Sequence, residues 1–150
     1  MQKHASLLVF LLLVMGGGIA IGTLTAPGDW YANLAKPSFN PPNWIFGPVW
    51  SVLYLIIAWV GWRLWQRGER GTLMKLWFAQ MGLNFLWSPA FFTLEMPGLA
   101  LFIVLCLVLT IALFIQTAWR SDRPSALLFV PYLAWVGFAS ILNAAIVYLN

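Results

Sequence analysis

The chain has 150 residues, of which 62% are hydrophobic and only 8% are charged. Soluble domains carry about a quarter charged residues, so this composition indicates an integral membrane protein. The net charge of +4 does not indicate a nucleic-acid partner, because the basic residues follow a membrane pattern. One cysteine and one histidine exclude an internal disulfide, a zinc site and paired haem ligation. We therefore expect no metal and no required cofactor.

Five apolar segments of helical length nearly fill the chain, since one helical span takes about 20 residues. Their apolar runs are continuous, which argues against a β-barrel. The first could be a secretory signal peptide, but no small-residue cleavage site follows it, and we interpret it as a retained helix. The sequence predicts an all-α integral membrane protein, a five-transmembrane-helix bundle forming a single domain over residues 1–150. The predicted spans are 6–26, 44–65, 73–94, 98–118 and 125–149.

The basic residues are distributed unevenly between the two sides of such a bundle. One side holds only Lys36, and the other holds seven: Lys3, Arg63, Arg67, Arg70, Lys75, Arg120 and Arg123. Cytoplasmic loops carry the excess of Lys and Arg. In a bacterial inner membrane, this multi-pass protein is therefore predicted to have a cytoplasmic N-terminus and a C-terminus outside.

The Pro/Trp-rich segment, Asp29 to Asn43, is the most distinctive connection in the chain. Proline fixes φ and removes a backbone donor, so Lys36-Pro37 and Asn40-Pro41-Pro42 indicate a stiff, non-helical course. Aromatic residues flank these prolines, which suits a lid over a binding site. An interfacial aromatic belt, which any membrane protein can carry, is the alternative interpretation.

The third span carries one polar stripe, because Gln80, Asn84 and Ser88 are spaced by four residues. Unpaired amides in hydrocarbon cost several kcal/mol, so the stripe should face the bundle interior. Pro89 deprives the Phe85 carbonyl of its helical donor, which predicts a kink near Asn84. Hydrogen bonds that merely hold helices together are the alternative role for the stripe.

The fifth span repeats the same spacing with Pro131, Trp135, Ala139 and Asn143. An aromatic ring, a small residue and an amide on one face can form the wall of a pocket for a flat ligand. Plain helix packing explains the same pattern.

No acid–base catalytic constellation is visible, because the four carboxylates, Asp29, Glu69, Glu95 and Asp122, all fall in or beside loops. What remains is a pocket of aromatic rings and amides beneath a stiff segment. Such a site binds a large, flat, mostly apolar molecule by stacking and a few hydrogen bonds.

The stretch Asp29–Tyr54 reads DWYANLAKPSFNPPNWIFGPVWSVLY, and it resembles the signature of the TspO family, the tryptophan-rich sensory proteins related to the mitochondrial translocator protein. NFLWSP at 84–89 and PYLAW at 131–135 fit the same family. The resemblance covers essentially the whole chain.

This resemblance implies a membrane receptor or sensor that binds porphyrins, such as protoporphyrin IX, and isoquinoline carboxamides. The ligand-binding residues it implies are Tyr31, Trp44, Phe46, Trp50, Asn84, Phe91, Trp135, Ala139 and Asn143. It also implies light-dependent porphyrin degradation involving Trp50 and Trp135, in which an indole donates an electron to the photoexcited porphyrin. A homodimer in contact with membrane lipid is expected on the same ground.

Two points qualify what the resemblance implies. A transporter that moves porphyrins or other small amphipathic molecules across the membrane is the alternative function. The animal relatives carry a cholesterol-recognition pattern in the fifth helix, whereas no Lys or Arg follows Tyr148 here. The resemblance therefore does not extend to sterol binding.

Overall fold

The computed structural model describes residues 2–150, and each regular element in that range is a helix. The helices are α1 (Gln2–Leu24), the short α2 (Asp29–Ala32), α3 (Phe46–Gln66), α4 (Thr72–Ser88), α5 (Pro97–Ser121) and α6 (Arg123–Leu149). A 3₁₀ turn, Asn43–Ile45, leads into α3.

Four of these helices are long and apolar enough to cross a membrane: α1, α3 with its preceding turn, α5 and α6. This agrees with the predicted all-α membrane class, and the four helices overlap four of the five predicted spans. Helix α4 is not among the four. Its α-helical part has 17 residues, and it carries the amides of Gln80 and Asn84, which reduce its hydropathy.

The longest packing interface joins α5 and α6, and α4 packs on the other flank of α5. Residues 2–16 of α1 lie along α3, whereas Gly17–Leu24 packs against α4 instead. Close approach at the point of divergence depends on Gly18, because a Cβ there would overlap the ring of Tyr54 on α3. Beyond Gly18, α1 and α3 separate.

Two π turns bend the bundle. The first, Leu12–Gly16, interrupts α1 just before it leaves α3, and the second, Pro89–Thr93, extends α4. A π turn inserts one extra residue into a helix, redirects it and is frequent at functional sites. The distortion predicted near Asn84 therefore begins one turn later, at the proline that lacks the backbone donor.

The half of the bundle away from the Pro/Trp-rich segment is densely packed. Trp77 is fully buried, and its indole N–H donates to the Ile57 carbonyl over 2.9 Å. Gly61 leaves room for this indole, since a Cβ there would lie 2.5 Å from the Trp77 ring. The Phe10 ring meets the same indole edge-on at 5.4 Å.

A buried carboxylate fastens this packed end. Asp122, in the turn between α5 and α6, accepts a hydrogen bond from Arg63 Nε on α3 at 3.0 Å and from Ser125 Oγ at 2.6 Å. The Arg67 Nε lies 3.9 Å from its second oxygen. Because a buried charge is costly without partners, this cluster links α3 firmly to the α5–α6 turn.

Candidate functional site

A cavity of about 780 Å³ occupies the half of the bundle next to the Pro/Trp-rich segment. Its walls come from the end of α1, the start of α3, the end of α4 and the facing parts of α5 and α6. None of the described residues that line it carries a charge. Its volume lies within the range of about 300–1,000 Å³ that is typical of sites for small organic ligands. Among residues 2–150, no group of three or more metal-ligating side chains is present.

Both π turns contribute to this cavity. Met15, in the first π turn, and Ile19, just after it, line the side formed by α1. Phe91 and Phe92, in the second π turn, line the side formed by α4. Both distorted segments therefore place side chains in the wall of the cavity.

The polar stripe of α4 lies inside the bundle, as predicted, since Gln80 and Asn84 are buried and Ser88 is half-buried. The Asn84 amide Nδ2 donates to the Tyr132 hydroxyl over 2.7 Å, and that hydroxyl donates to Gln80 Oε1 over 2.7 Å. On the cavity side, Tyr54 OH lies 3.4 Å from Asn84 Oδ1. The network fixes the orientation of Asn84 at the cavity wall.

A second amide is held in the same manner. Asn143 Oδ1 accepts from Trp87 Nε1 over 2.9 Å, and Asn143 Nδ2 donates to the Pro97 carbonyl over 2.9 Å. Both Asn143 and Trp87 line the cavity. Their hydrogen bonds join α4, α5 and α6 at the wall.

The two tryptophans of the predicted site, Trp50 and Trp135, differ in their surroundings. Trp50 lies beside Tyr54 on α3, with ring centroids 5.5 Å apart. Trp135 on α6 meets Phe46 edge-on at 5.7 Å. Within residues 2–150, the buried indole N–H of Trp135 has no hydrogen-bond partner. An unpaired buried donor costs about 1–3 kcal/mol, so a rotation that presents it to a ligand acceptor would be favourable.

The Pro/Trp-rich segment reaches the cavity through Tyr31, Asn40 and Asn43. The Tyr31 ring packs against Phe91 at 6.1 Å. Burial raises the pKa of the Tyr31 phenol above its ordinary value of 10.0, so this lining group is neutral at physiological pH. The Lys36 ammonium lies 4.5 Å from the same ring centroid.

Two further contacts fasten this segment. Lys36 Nζ donates to the Tyr31 carbonyl over 2.6 Å and to the Leu34 carbonyl over 3.3 Å. The Asn150 side chain accepts from the Ala35 N–H over 3.1 Å and donates to the Ala35 carbonyl over 2.9 Å. The ammonium of Lys36, beside the lining residue Tyr31, is therefore occupied by backbone carbonyls, and the segment is tied to the end of α6.

Comparison with known proteins identifies the family. The TspO/MBR family profile matches residues 9–149, nearly the whole chain. The chain belongs to the TspO/MBR family. It is 40% identical to the tryptophan-rich protein TspO of Archaeoglobus fulgidus over 148 residues, which cover 96% of each chain.

Other TspO/MBR relatives bear different names. The tryptophan-rich sensory protein of Cereibacter sphaeroides is 34% identical over all of this chain and 95% of its own. The human translocator protein is 36% identical over 84% of this chain and 79% of its own. Membership in the TspO/MBR family confirms the resemblance found in the sequence and supports a receptor or sensor role in a membrane.

Of the nine residues that sequence reasoning assigned to the TspO/MBR ligand site, all but Trp44 line the cavity. The side chain of Trp44 is 74% exposed, because the 3₁₀ turn before α3 directs it outward. The eight lining residues are Tyr31, Phe46, Trp50, Asn84, Phe91, Trp135, Ala139 and Asn143. Whether they bind a ligand stays a prediction.

Sequence reasoning missed several contributors to this TspO/MBR cavity. Tyr54 lies one helical turn after Trp50, and Trp87 lies three residues after Asn84. Both could have been found by extending the predicted faces by one turn. Tyr132, which positions Asn84, gave no separate signal because a tyrosine in an apolar helix is equally typical of a membrane interface.

Proposed function

We propose that this protein is a membrane receptor that binds protoporphyrin IX or a related flat tetrapyrrole in the cavity described above. The observation that carries the proposal is the lining itself, an uncharged space of about 780 Å³ bounded by aromatic rings and oriented amides. Aromatic faces stack on a conjugated macrocycle, and Asn84 and Asn143 offer hydrogen bonds that fix its orientation. Isoquinoline carboxamides, which are also flat and carry one amide, fit the same description.

The proposal includes the arrangement of the chain in the membrane. Helix α4, continued by its π turn, forms the fifth span, and the Pro/Trp-rich segment covers the cavity as a lid. The bundle inserts with its N-terminus in the cytoplasm, in line with the basic residues. A homodimer is part of the proposal on family resemblance alone. Light scattering of the detergent-purified protein can measure the number of subunits.

Binding is favoured over transport by the form of the cavity. The opposite half of the bundle is filled by Trp77 and its neighbours, and the Arg63–Asp122 pair closes that end. A transporter needs a second arrangement that opens this end, and a receptor does not. Sealed vesicles loaded with porphyrin should therefore leak it no faster with the protein than without it.

The proposal extends to light-dependent porphyrin degradation. Trp50 and Trp135 place two indoles at the lining, where each can donate an electron to a photoexcited porphyrin, with dioxygen as the terminal oxidant. Substituting either one, Trp50→Phe or Trp135→Phe, should slow the light-driven loss of bound porphyrin. The matched control is Trp44→Phe, since Trp44 lies outside the cavity. Equal rates in all three variants would contradict the role of the two indoles.

The test of the binding proposal is a titration of protoporphyrin IX into detergent-purified protein, followed by quenching of tryptophan fluorescence. We expect saturable quenching in the wild type, weaker binding in Trp135→Phe and wild-type binding in Trp44→Phe. Linear quenching that does not saturate would mean that the porphyrin only partitions into the micelle. That result would contradict the proposed receptor.

A further inference from the structure

The cavity wall is closed on one side of the bundle and open on the other. On the closed side, most of the lining residues of α5 and α6 are buried, and Leu107 and Val136 are each 1% exposed. On the other side, lining residues are also surface residues. Ile19 of α1 lines the cavity and is 63% exposed.

The open side lies where α1 and α3 separate. Gly22 and Thr23 of α1 and Gly47 and Ser51 of α3 line the cavity and are exposed at the surface. A Cβ built at Gly22 or at Gly47 meets no atom within 4 Å. Below this gap, the contact of Gly18 with the Tyr54 ring closes the two helices again.

The surroundings of this gap are apolar. Leu24 of α1 is 84% exposed and Val52 of α3 is 56% exposed, and both helices are apolar enough to cross a membrane. The gap is therefore edged by apolar helix surfaces that are suited to contact with lipid. By contrast, the Pro/Trp-rich segment is held in place by contacts of its own. Lys36 donates to the Tyr31 carbonyl, and two hydrogen bonds join Ala35 to Asn150 at the end of α6.

We propose that the gap between α1 and α3, edged by Ile19, Gly22, Gly47 and Ser51, is a lateral portal through which flat apolar ligands pass between the bilayer and the cavity. This inference rests on the proposed function, because it assigns the route by which its ligands reach the site. A porphyrin or an isoquinoline carboxamide partitions into the bilayer, so a portal on the apolar flank of the bundle admits it directly from the lipid. The route requires no opening of the Pro/Trp-rich segment.

The inference also explains how acidic ligands are accommodated. The lining is uncharged, and an unpaired carboxylate inside it would be costly. A ligand that lies across the portal keeps its acidic groups outside the cavity. Thr23, Ser51 and Asn43, which combine a place in the lining with surface exposure, offer polar contacts at that edge.

The test compares rates with affinities in protein reconstituted into liposomes, by stopped-flow quenching with protoporphyrin IX and with an isoquinoline carboxamide. Gly22→Trp and Gly47→Trp each add an indole at the edge of the gap, where a Cβ meets no atom within 4 Å. Gly98→Trp, at an exposed glycine of the same end, is the matched control. We expect association to slow about tenfold in both portal variants and Kd to change by a smaller factor, because an obstructed route alters rates more than the equilibrium. The control should behave as the wild type.

A second experiment restrains the Pro/Trp-rich segment with an engineered disulfide. Ala35→Cys with Asn150→Cys, in a Cys106→Ala background, joins two positions already in hydrogen-bond contact. If the portal is the route, the oxidised and reduced forms should bind at the same rate. Slower binding after oxidation, or wild-type rates in both portal variants, would overturn the portal.

The outcomes separate the portal from the proposed function. A loss of affinity without slower association would overturn the portal and leave the receptor intact. A wild type that binds the carboxamide but not the porphyrin would contradict the proposed ligand, while the carboxamide rates still decide the route. Binding of neither probe would overturn both.

Discussion

The two halves of the bundle contain the same kinds of residues and differ in what they enclose. The half beside the Arg63–Asp122 pair packs Phe10 and Trp77 into a solid core. The half beside the Pro/Trp-rich segment arranges Trp50, Trp135 and Phe91 around a cavity. Composition alone therefore does not make a binding site here. The difference comes from the two π turns and from the separation of α1 from α3 after Gly18.

The largest expected effect is a difference in stability between tryptophan substitutions in the two halves. Trp77→Ala removes a fully buried indole from the solid core and should lower the free energy of unfolding by about 3–5 kcal/mol. Trp50→Ala removes a half-buried indole that faces the cavity, so it should cost clearly less stability and instead weaken porphyrin binding. Thermal unfolding in detergent and porphyrin titration measure the two effects. Equal destabilisation by both substitutions would contradict the distinction between a packed half and a half that surrounds a cavity.

The next effect concerns the uncharged lining of the cavity, which predicts that affinity falls as the porphyrin carries more carboxylates. A porphyrin with eight carboxylates should bind about 100-fold more weakly than protoporphyrin IX, which has two, because carboxylates that cannot remain outside must lose their hydration. The dimethyl ester of protoporphyrin IX should bind at least as well as the acid. These affinities can be compared by competition against protoporphyrin IX. Similar binding of the eight-carboxylate porphyrin would show that the cavity is not the site.

A smaller effect concerns the orientation of Asn84. Tyr132→Phe removes the hydroxyl that lies between Asn84 and Gln80 while keeping the ring, and it should weaken porphyrin binding about tenfold or less, equivalent to roughly 1 kcal/mol for one hydrogen bond. Tyr148→Phe is the control, since Tyr148 is 88% exposed. A loss confined to stability, with unchanged affinity, would mean that the network only holds helices together.

Sequence reasoning recovered the parts of this fold that periodicity encodes. Apolar runs located the long helices to within a few residues, and the spacing of Gln80, Asn84 and Ser88 correctly predicted an inward stripe on α4. The family resemblance supplied nine candidate site residues, and eight of them do surround one cavity.

The rest depended on geometry that one sequence does not encode. The π turn at Leu12–Gly16 lies in a Leu-rich run without a proline, so nothing in its composition separates it from regular helix. The outward position of Trp44 follows from the 3₁₀ turn at Asn43–Ile45, and such boundaries are the least certain part of a sequence-based prediction. The gap between α1 and α3 follows from both helices together and has no local signal.

The most direct test of the central claim is to fill the cavity without removing any of its present side chains. Ala139→Trp adds an indole at a lining position, and Ala134→Trp, on the exposed face of the same helix, is the matched control. We expect saturable protoporphyrin IX binding to be lost in Ala139→Trp and retained in Ala134→Trp, with both variants folded as judged by circular dichroism. Wild-type affinity in folded Ala139→Trp would contradict the assignment of this cavity as the ligand site.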